Sequence, residues 1–381
     1  MSETYRDHTV HGILADGSTS NGSTFGAWMV YNSKDTFLGG PTYSDLTVDG
    51  IVYNYIQSNH HGDQPPNITH GFDRTWGPSI YHFNRGSAGG DVGSSLSALR
   101  NDAKKMADIS QHTAFYDSIA PHVTGYVPKA GRGSWQAHVK LPKGASNPIA
   151  VLSAPGFDYQ DNAMAPSAYQ YWANVDKNGK VQIDRVKAGT YRLTLYGDGV
   201  FGDFVASENI VVAAGKTTDS KSVDWVPESA GTELWRIGVP DKSAGEFRHG
   251  YAPSDRGLRV PQYRVYWGAY DFVNDFPQGV KFAVGKSKEA EDWNYVHWAS
   301  FGSSMTRPGI VSGPTISNWT ITFDLDKNAL MKRSQATFTV QFAGVTTDAG
   351  NTDVFNPNSP WSNLEFGVVV NGNKLQSHII P

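Results

Sequence analysis

Short runs in which apolar and polar residues alternate dominate this chain, and a period of two places successive side chains on opposite faces of a β-strand. Between Thr24 and Gln57 the runs FGAWMVYN and YSDLTVDGIVYNYI flank the turn residues LGGP; the second run sets Val52, Asn54 and Ile56 on one face and Ile51, Tyr53 and Tyr55 on the other. Only SSLSALRNDAKKMAD turns convincingly to helical spacing. Its Leu96, Leu99, Ala103 and Met106 follow at intervals of three, four and three, and Ser94 or Ser95 stands where an N-cap is expected. A helix with one such stripe is expected to pack on a sheet.

A second region begins near Tyr126, after a linker PHVTGYVPKAGRG. SWQAHVKL alternates Trp135, Ala137, Val139 and Leu141, YQYWANVD alternates Tyr169, Tyr171, Ala173 and Val175, and KNGK predicts a hairpin turn at Asn178-Gly179. VQIDRVKAGTYRLTLYGDG then predicts two strands broken at Gly189. Roughly a hundred residues of short strands with frequent turns predict an immunoglobulin-like sandwich. The third region follows Pro227, where WTITFDL, TFTVQFAGV and LEFGVVVNGNKL alternate and the last closes on an Asn371-Gly372 turn. A jelly-roll sandwich fits that strand count.

A length of 381 residues exceeds one ordinary core and agrees with several domains. With 40 Gly, 20 Pro, 11 Trp, 18 Tyr and 18 Phe and only 18% charged residues, the composition is β-rich, and the aromatics also suit sugars, whose apolar C–H faces stack on rings. A net charge of −4 offers no basic field, so nucleic acid and anionic membrane are not expected partners. There is no cysteine, which removes disulfides and thiol chemistry. The start, MSETYRDHTVHG, has no apolar core of a signal peptide, and no segment is long enough to span a bilayer. Sequons stand at Asn21, Asn67 and Asn318, a weak pointer to an extracellular setting.

Candidate chemistry concentrates in SNHHGDQPPNITHGFDRTWGP, residues 58–78, where an alternating run gives way to a polar Pro/Gly-rich loop. A loop anchored on a sheet can be irregular while its base stays fixed. Tyr53 and Tyr55 share one strand face, and the loop beyond them would bring His60 round the strand end. His60 and His61 with Asp63 do not form a convincing zinc set, because adjacent histidines on extended chain point apart and no further ligand follows at helical spacing. Asp73 and Arg74 could pair to brace the loop. In the third region Trp293, Tyr295 and His297 share a face, and Trp267 lies near Tyr270; core packing is the favoured reading of each set, with a sugar platform as the alternative. GDGVFGDF and DFVNDF are candidates for a structural calcium, and no catalytic metal or other cofactor is expected.

The runs GAWMVYNSKDTFLGGP, SDLTVDGIVYNYIQSNHHGDQPPNITHGFDRTWGP, ELWRIGVPDKSAGEFRHG and YRVYWGAYDFVNDFPQGVKFAVG resemble, in order, rhamnogalacturonan lyases of polysaccharide lyase family four, the fungal branch in particular. The resemblance implies an all-β chain: residues 1–125 as the C-terminal part of a catalytic β-super-sandwich, 126–227 as a fibronectin type III-like sandwich, and 228–381 as a jelly roll like a carbohydrate-binding module. It implies an extracellular enzyme that cuts the rhamnogalacturonan I backbone of pectin by β-elimination, leaving an unsaturated galacturonate end; a monomer is the expected state.

The family pattern makes His60 the catalytic histidine, as general acid, and Tyr53 and Tyr55 substrate contacts, with Asn59 and His61 shaping the subsite. The family's lysine and arginines belong to a segment upstream of the position where this sequence starts. Elimination takes the C5 proton of a galacturonate and expels the oxygen on C4. Cations must therefore face the carboxylate, and a base and an acid must reach C5 and the leaving oxygen. A non-catalytic pectin-binding chain is the alternative reading; a glycoside hydrolase would need a carboxylate pair that nothing in the sequence marks.

Overall fold

The computed structural model describes residues 9–17, 22–36, 41, 47–48, 51–52, 70–71, 75, 77–86, 92–156, 158–159, 169–248, 272, 275–294, 318–330, 333–342 and 364–380. Two compact units divide the chain: Ser2–Gln57 with Pro65–Pro227 form one, and Glu228–Pro381 make up the bulk of the other. The described residues are mostly sheet with few helices, an all-β multi-domain arrangement.

Strands β1 (Val10–Ala15), β2 (Phe25–Tyr31), β3 (Thr47–Val48), β4 (Ile51–Val52) and β5 (Ser79–Arg85) precede helix α1 (Val92–Lys105). β1, β2 and β5 form an antiparallel sheet in that order, and β3 pairs β4 as a separate hairpin. The helical stripe lands where its spacing directs it. Leu96, Leu99, Ala103 and Met106 pack on Val10, Leu14, Trp28, Val30 and Ile80, one alternate set of the sheet. Because α1 already starts at Val92, Ser94 and Ser95 lie within its first turn and not at the expected cap.

Glycines make room for the largest ring of this layer. A Cβ on Gly12 would come within 2.6 Å of Trp28 Cε3, and one on Gly26 would strike Trp28 Nε1 and Asn84 Oδ1. The indole N–H donates to Asn84 Oδ1 at 2.8 Å, while Asn84 Nδ2 donates to the Leu99 carbonyl (2.8 Å) and to Asp102 Oδ2 (3.1 Å). One amide thus ties sheet to helix.

The stretch read as a linker is structured, though largely exposed. A second helix, α2 (Thr113–Ile119), leads into it, 3₁₀ turns at Ala120–His122 and Lys129–Gly131 lie along it, and Asp117 of α2 accepts the Lys129 N–H at 3.0 Å. Pro and Gly there serve tight turns, which composition alone cannot tell from flexibility.

The sandwich that follows has β6 (Arg132–Lys140), β7 (Ser146–Ser153), β8 (Tyr171–Asn174), β9 (Lys180–Lys187), β10 (Gly189–Asp198), β11 (Phe204–Val205), β12 (Ile210–Val212) and β13 (Thr217–Asp224). One sheet runs β11-β10-β7-β8 with β12 added on β10; the other runs β13-β6-β9. Trp135, Ala137, Val139, Leu152, Tyr171, Val181, Ile183, Leu193 and Leu195 interdigitate between them. The Asn178-Gly179 turn forms, with Gly179 at φ 82° and Asp176 Oδ1 accepting the N–H groups of Asn178 and Lys180 at 2.8 Å. It is not a hairpin. β8 pairs β7 while β9 pairs β6, so the turn carries the chain from one sheet to the other.

β7 is covered on both faces. Ala150 and Leu152 point into the sandwich, whereas Ile149 and Val151 join Trp172, Tyr196, Tyr159 and Tyr31 in a second cluster against β2. That explains why PIAVL is continuously apolar within an antiparallel sheet.

In the second unit, β14 (Val280–Ala283) pairs β15 (Trp319–Thr322) in parallel, and β16 (Leu364–Phe366), β17 (Val369–Val370), β18 (Asn373–Lys374) and β19 (His378–Ile380) pair as β16-β19 and β17-β18. The expected Asn371-Gly372 turn joins β17 to β18, with φ of 49° and 83°. TFTVQF does not form the expected strand: residues 333–342 carry no ladder, and Phe338, Val340 and Phe342 are exposed. Alternation prepares one strand; a ladder needs a partner as well.

Candidate functional site

The five residues expected to form the site, Tyr53, Tyr55, Asn59, His60 and His61, lie outside the described residues, as do Asp73, Arg74, Trp267, Tyr270, Tyr295 and His297. What the structure describes is the frame on which their segment is strung. The chain enters from β4, whose last residue Val52 pairs Thr47, and leaves into β5, where Ser79 pairs Tyr31. Near the exit, Thr75 Oγ1 donates to the Thr124 carbonyl at 2.9 Å, tying the segment to the chain ahead of the sandwich.

The same frame is locked by charge at the end of β2. The 3₁₀ turn Lys34–Thr36 inserts Asp35 among side chains of the sandwich. Its carboxylate accepts from Arg132 Nη2 at 2.6 Å, from Arg132 Nη1 at 3.4 Å and from the Tyr171 hydroxyl at 2.7 Å, with Lys187 Nζ at 3.9 Å. Arg132 also donates from Nε to the Val127 carbonyl (2.7 Å) and from Nη1 to the Arg185 carbonyl (2.9 Å). Lys187 Nζ also sits 3.6 Å from the centre of the Tyr169 ring, and Lys34 Nζ sits 3.7 Å from that of Trp172.

These groups shape one another's protonation. Burial pushes the Tyr171 phenol well above its ordinary pKa, and the neighbouring Asp35 charge pushes it the same way. Tyr191, edge-on to Tyr171 with ring centres 5.8 Å apart, is raised by burial and by Asp35. For Arg132, burial works against the charge, yet the bond and charge of Asp35 outweigh it and its pKa rises. The carboxylate is only 1% exposed and the guanidinium 3%, so a polysaccharide cannot reach them. The network fixes geometry and does not touch substrate. Sequence reasoning missed it: Asp35 and Arg132 stand in polar, turn-like stretches, and nothing local signals a partner 97 residues away.

Elsewhere, Trp293 packs against a core cluster, in line with the favoured reading, while staying partly exposed. It meets Trp319 edge-on at 4.5 Å and Phe282 at 5.5 Å within the cluster of Phe272, Val280 and Phe282. Within the acidic runs considered for calcium, Asp198 accepts from Asn147 Nδ2 and from the Tyr196 hydroxyl, both at 2.8 Å, and Asp275 pairs Arg248 at 3.0 Å, while Asp271 and Asn274 lie outside the described residues. Among the described residues no group of three or more His, Cys, Asp or Glu could hold a metal ion, and no helix is long and apolar enough to cross a membrane.

Comparison with known proteins gives this frame its family. Residues 142–220 match polysaccharide lyase family 4 domain II, residues 233–379 match domain III of that family, and residues 1–43 match the middle domain of a probable rhamnogalacturonate lyase B. A probable rhamnogalacturonate lyase B of Aspergillus niger is 54% identical over 372 residues, covering 97% of this chain and 52% of that protein. The rhamnogalacturonate lyase B of Emericella nidulans is 54% identical over 97% of this chain and 55% of its own length. A probable rhamnogalacturonate lyase C of Aspergillus oryzae is 49% identical over 100% of this chain and 54% of its own length. The chain belongs to the fungal rhamnogalacturonan lyases of polysaccharide lyase family 4. It spans about half the length of the relatives it matches.

Proposed function

We propose that this chain acts on the rhamnogalacturonan I backbone of pectin and takes part in its β-elimination at the rhamnosyl-(1→4)-galacturonate bond, in a secreted setting. The observation that carries the reading is the extent of the likeness: relatives named rhamnogalacturonate lyase are 54% identical over 97% of the chain. In this reading His60 donates the proton that the departing C4 oxygen needs, a task suited to an imidazole whose ordinary pKa lies near neutrality. Tyr53 and Tyr55 cover the sugar, and Asn59 and His61 shape the subsite. The Asp35–Arg132 lock supports this by holding the base of the segment against a rigid sandwich, since positioning within about an ångström decides such rates.

The test is to follow, on purified rhamnogalacturonan, the ultraviolet absorbance of the unsaturated uronide that only elimination forms. An increase that His60→Ala abolishes, with pectin binding retained, is the expected result. Reducing ends released without that absorbance would point to hydrolysis, and binding without any cleavage would leave a pectin-binding chain.

A further inference from the structure

The sequon Asn318-Trp319-Thr320 has no part in the lyase reading, and its placement in the second unit is specific. It stands at the start of β15, where alternation along the strand sends its side chains to two different faces. Trp319 points inward. Its ring lies edge-on to Trp293 at 4.5 Å and stacked on Phe272 at 6.2 Å, against the cluster that holds Val280 and Phe282. Asn318 and Thr320, one residue to either side, are both exposed. The two side chains that define the sequon therefore share the solvent side of the strand, and the packed ring between them fixes that orientation.

The neighbours on that side suit a bulky polar substituent. Register sets Thr320 opposite Lys281 and Thr322 opposite Ala283, and Lys281, Thr320 and Thr322 are exposed. Among the described residues of this ladder no large apolar side chain faces the same way, since Val280, Phe282, Trp319 and Ile321 alternate to the other side. A carbohydrate chain there would displace no packing. The first sequon, Asn21-Gly22-Ser23, differs: its Ser23 is 3% exposed and accepts from Arg85 Nη2 at 2.9 Å. Asn21 itself, like the sequon at residues 67–69, lies outside the described residues.

We infer that Asn318 is an N-glycosylation site, taking its sugar from a lipid-diphosphate-linked oligosaccharide. In that transfer Asn318 Nδ2 forms a bond to the anomeric carbon and gives up one proton. The bond from that carbon to the diphosphate oxygen breaks, and the lipid diphosphate leaves with the electron pair. Asn-X-Thr supplies the acceptor carboxamide and the hydroxyl residue that marks it, and the middle residue here is not proline. The inference rests on the secreted setting proposed above, because this sugar donor is met on the secretory route.

The experiment is to express the chain behind a yeast secretion leader, which brings it to the donor whatever its native address. Culture fluid and cells are both collected, the protein is deglycosylated by a peptide amidase in heavy-oxygen water, and position 318 is read by peptide mass spectrometry. A heavy-oxygen-labelled aspartate at that position is expected. Asn318→Gln and Thr320→Ala should each lose the mark entirely, and Thr320→Ser should keep it. Because Thr320→Ala leaves the carboxamide in place, its loss of the mark separates sugar transfer from spontaneous deamidation. An unmodified Asn318 in chains whose leader has been cleaved, or a mark that survives Thr320→Ala, overturns the inference. The secreted setting is read separately, by locating the leaderless chain in the culture fluid or the cells of its native host.

Discussion

Asp35 and Arg132, 97 residues apart in sequence, meet at 2.6 Å with both side chains almost wholly withdrawn from water. Removing one partner of such a pair strands a buried charge, at a cost of about 3–5 kcal/mol. Asp35→Ala is therefore expected to destabilise the unit formed by Ser2–Gln57 and Pro65–Pro227 by that amount in urea unfolding. Asp35→Leu combined with Arg132→Met, which removes both charges, should lose much less than the sum of the two single changes. Additive losses in the double-mutant cycle would mean that the pair is not coupled.

The phenols around this carboxylate make a prediction at the alkaline end. A tyrosine whose folded pKa lies above its unfolded value keeps its proton better when folded, so its contribution is complete below about pH 10 and is lost as pH rises through the folded value. Burial raises Tyr171 and Tyr191 in this direction. Stability should therefore fall as pH climbs above about 10, and Tyr171→Phe should flatten that fall. Thermal melts of both proteins across the alkaline range read the difference; parallel curves would remove Tyr171 as a source.

Local pattern reached some levels of this structure and not others. The α1 stripe of Leu96, Leu99, Ala103 and Met106, the strands around Trp135 and Leu193, and the Asn371-Gly372 turn were legible because each is set by spacing within a few residues. Which strand pairs which was not, as the Asn178-Gly179 turn shows by linking two sheets. The buried Asp35–Arg132–Tyr171 network was illegible for a related reason: a charged residue in a turn looks solvated until tertiary packing covers it. The candidate site residues Tyr53, Tyr55, Asn59, His60 and His61 rest on family likeness, and lie outside the described residues.

Gly26 illustrates a constraint that neighbours impose. The backbone is ordinary β, and the Trp28 indole and the Asn84 side-chain oxygen lying against it forbid a side chain. Gly26→Val should push Trp28 aside, break its bond to Asn84 and destabilise the β1-β2-β5 layer by about 1–3 kcal/mol. Thermal unfolding of the variant tests this. A neutral result would show that the ring can relocate without loss.

At the acid end the relevant group is Asp102 on α1. Bonds from Asn84, His82 and Lys105 hold its carboxyl well below the usual carboxylate range. A carboxyl with a depressed folded pKa binds fewer protons folded than unfolded, so its stabilisation is present above the unfolded value near pH 4 and is lost as pH falls below it. Melting temperatures of the native chain and Asp102→Asn should therefore differ near neutral pH and converge progressively in acid, from about pH 4 downward. A constant gap would assign the effect of the substitution to something other than ionisation.

Trp293 separates packing from sugar binding in the second unit. Its ring contacts Trp319 and Phe282 edge-on, 4.5 Å and 5.5 Å away, and Phe247 at 5.9 Å, so most of its surface is committed to neighbours. Edge-to-face pairs each add of the order of 0.5–1.5 kcal/mol to the burial itself. Trp293→Ala should accordingly cost roughly 3 kcal/mol, the lower end of the range for a core indole because the ring is only partly buried. Denaturant unfolding of the second unit should show that loss. A surface platform would behave in the opposite way, with stability unchanged and binding to immobilised rhamnogalacturonan reduced, and that outcome would restore the sugar-binding assignment of this residue.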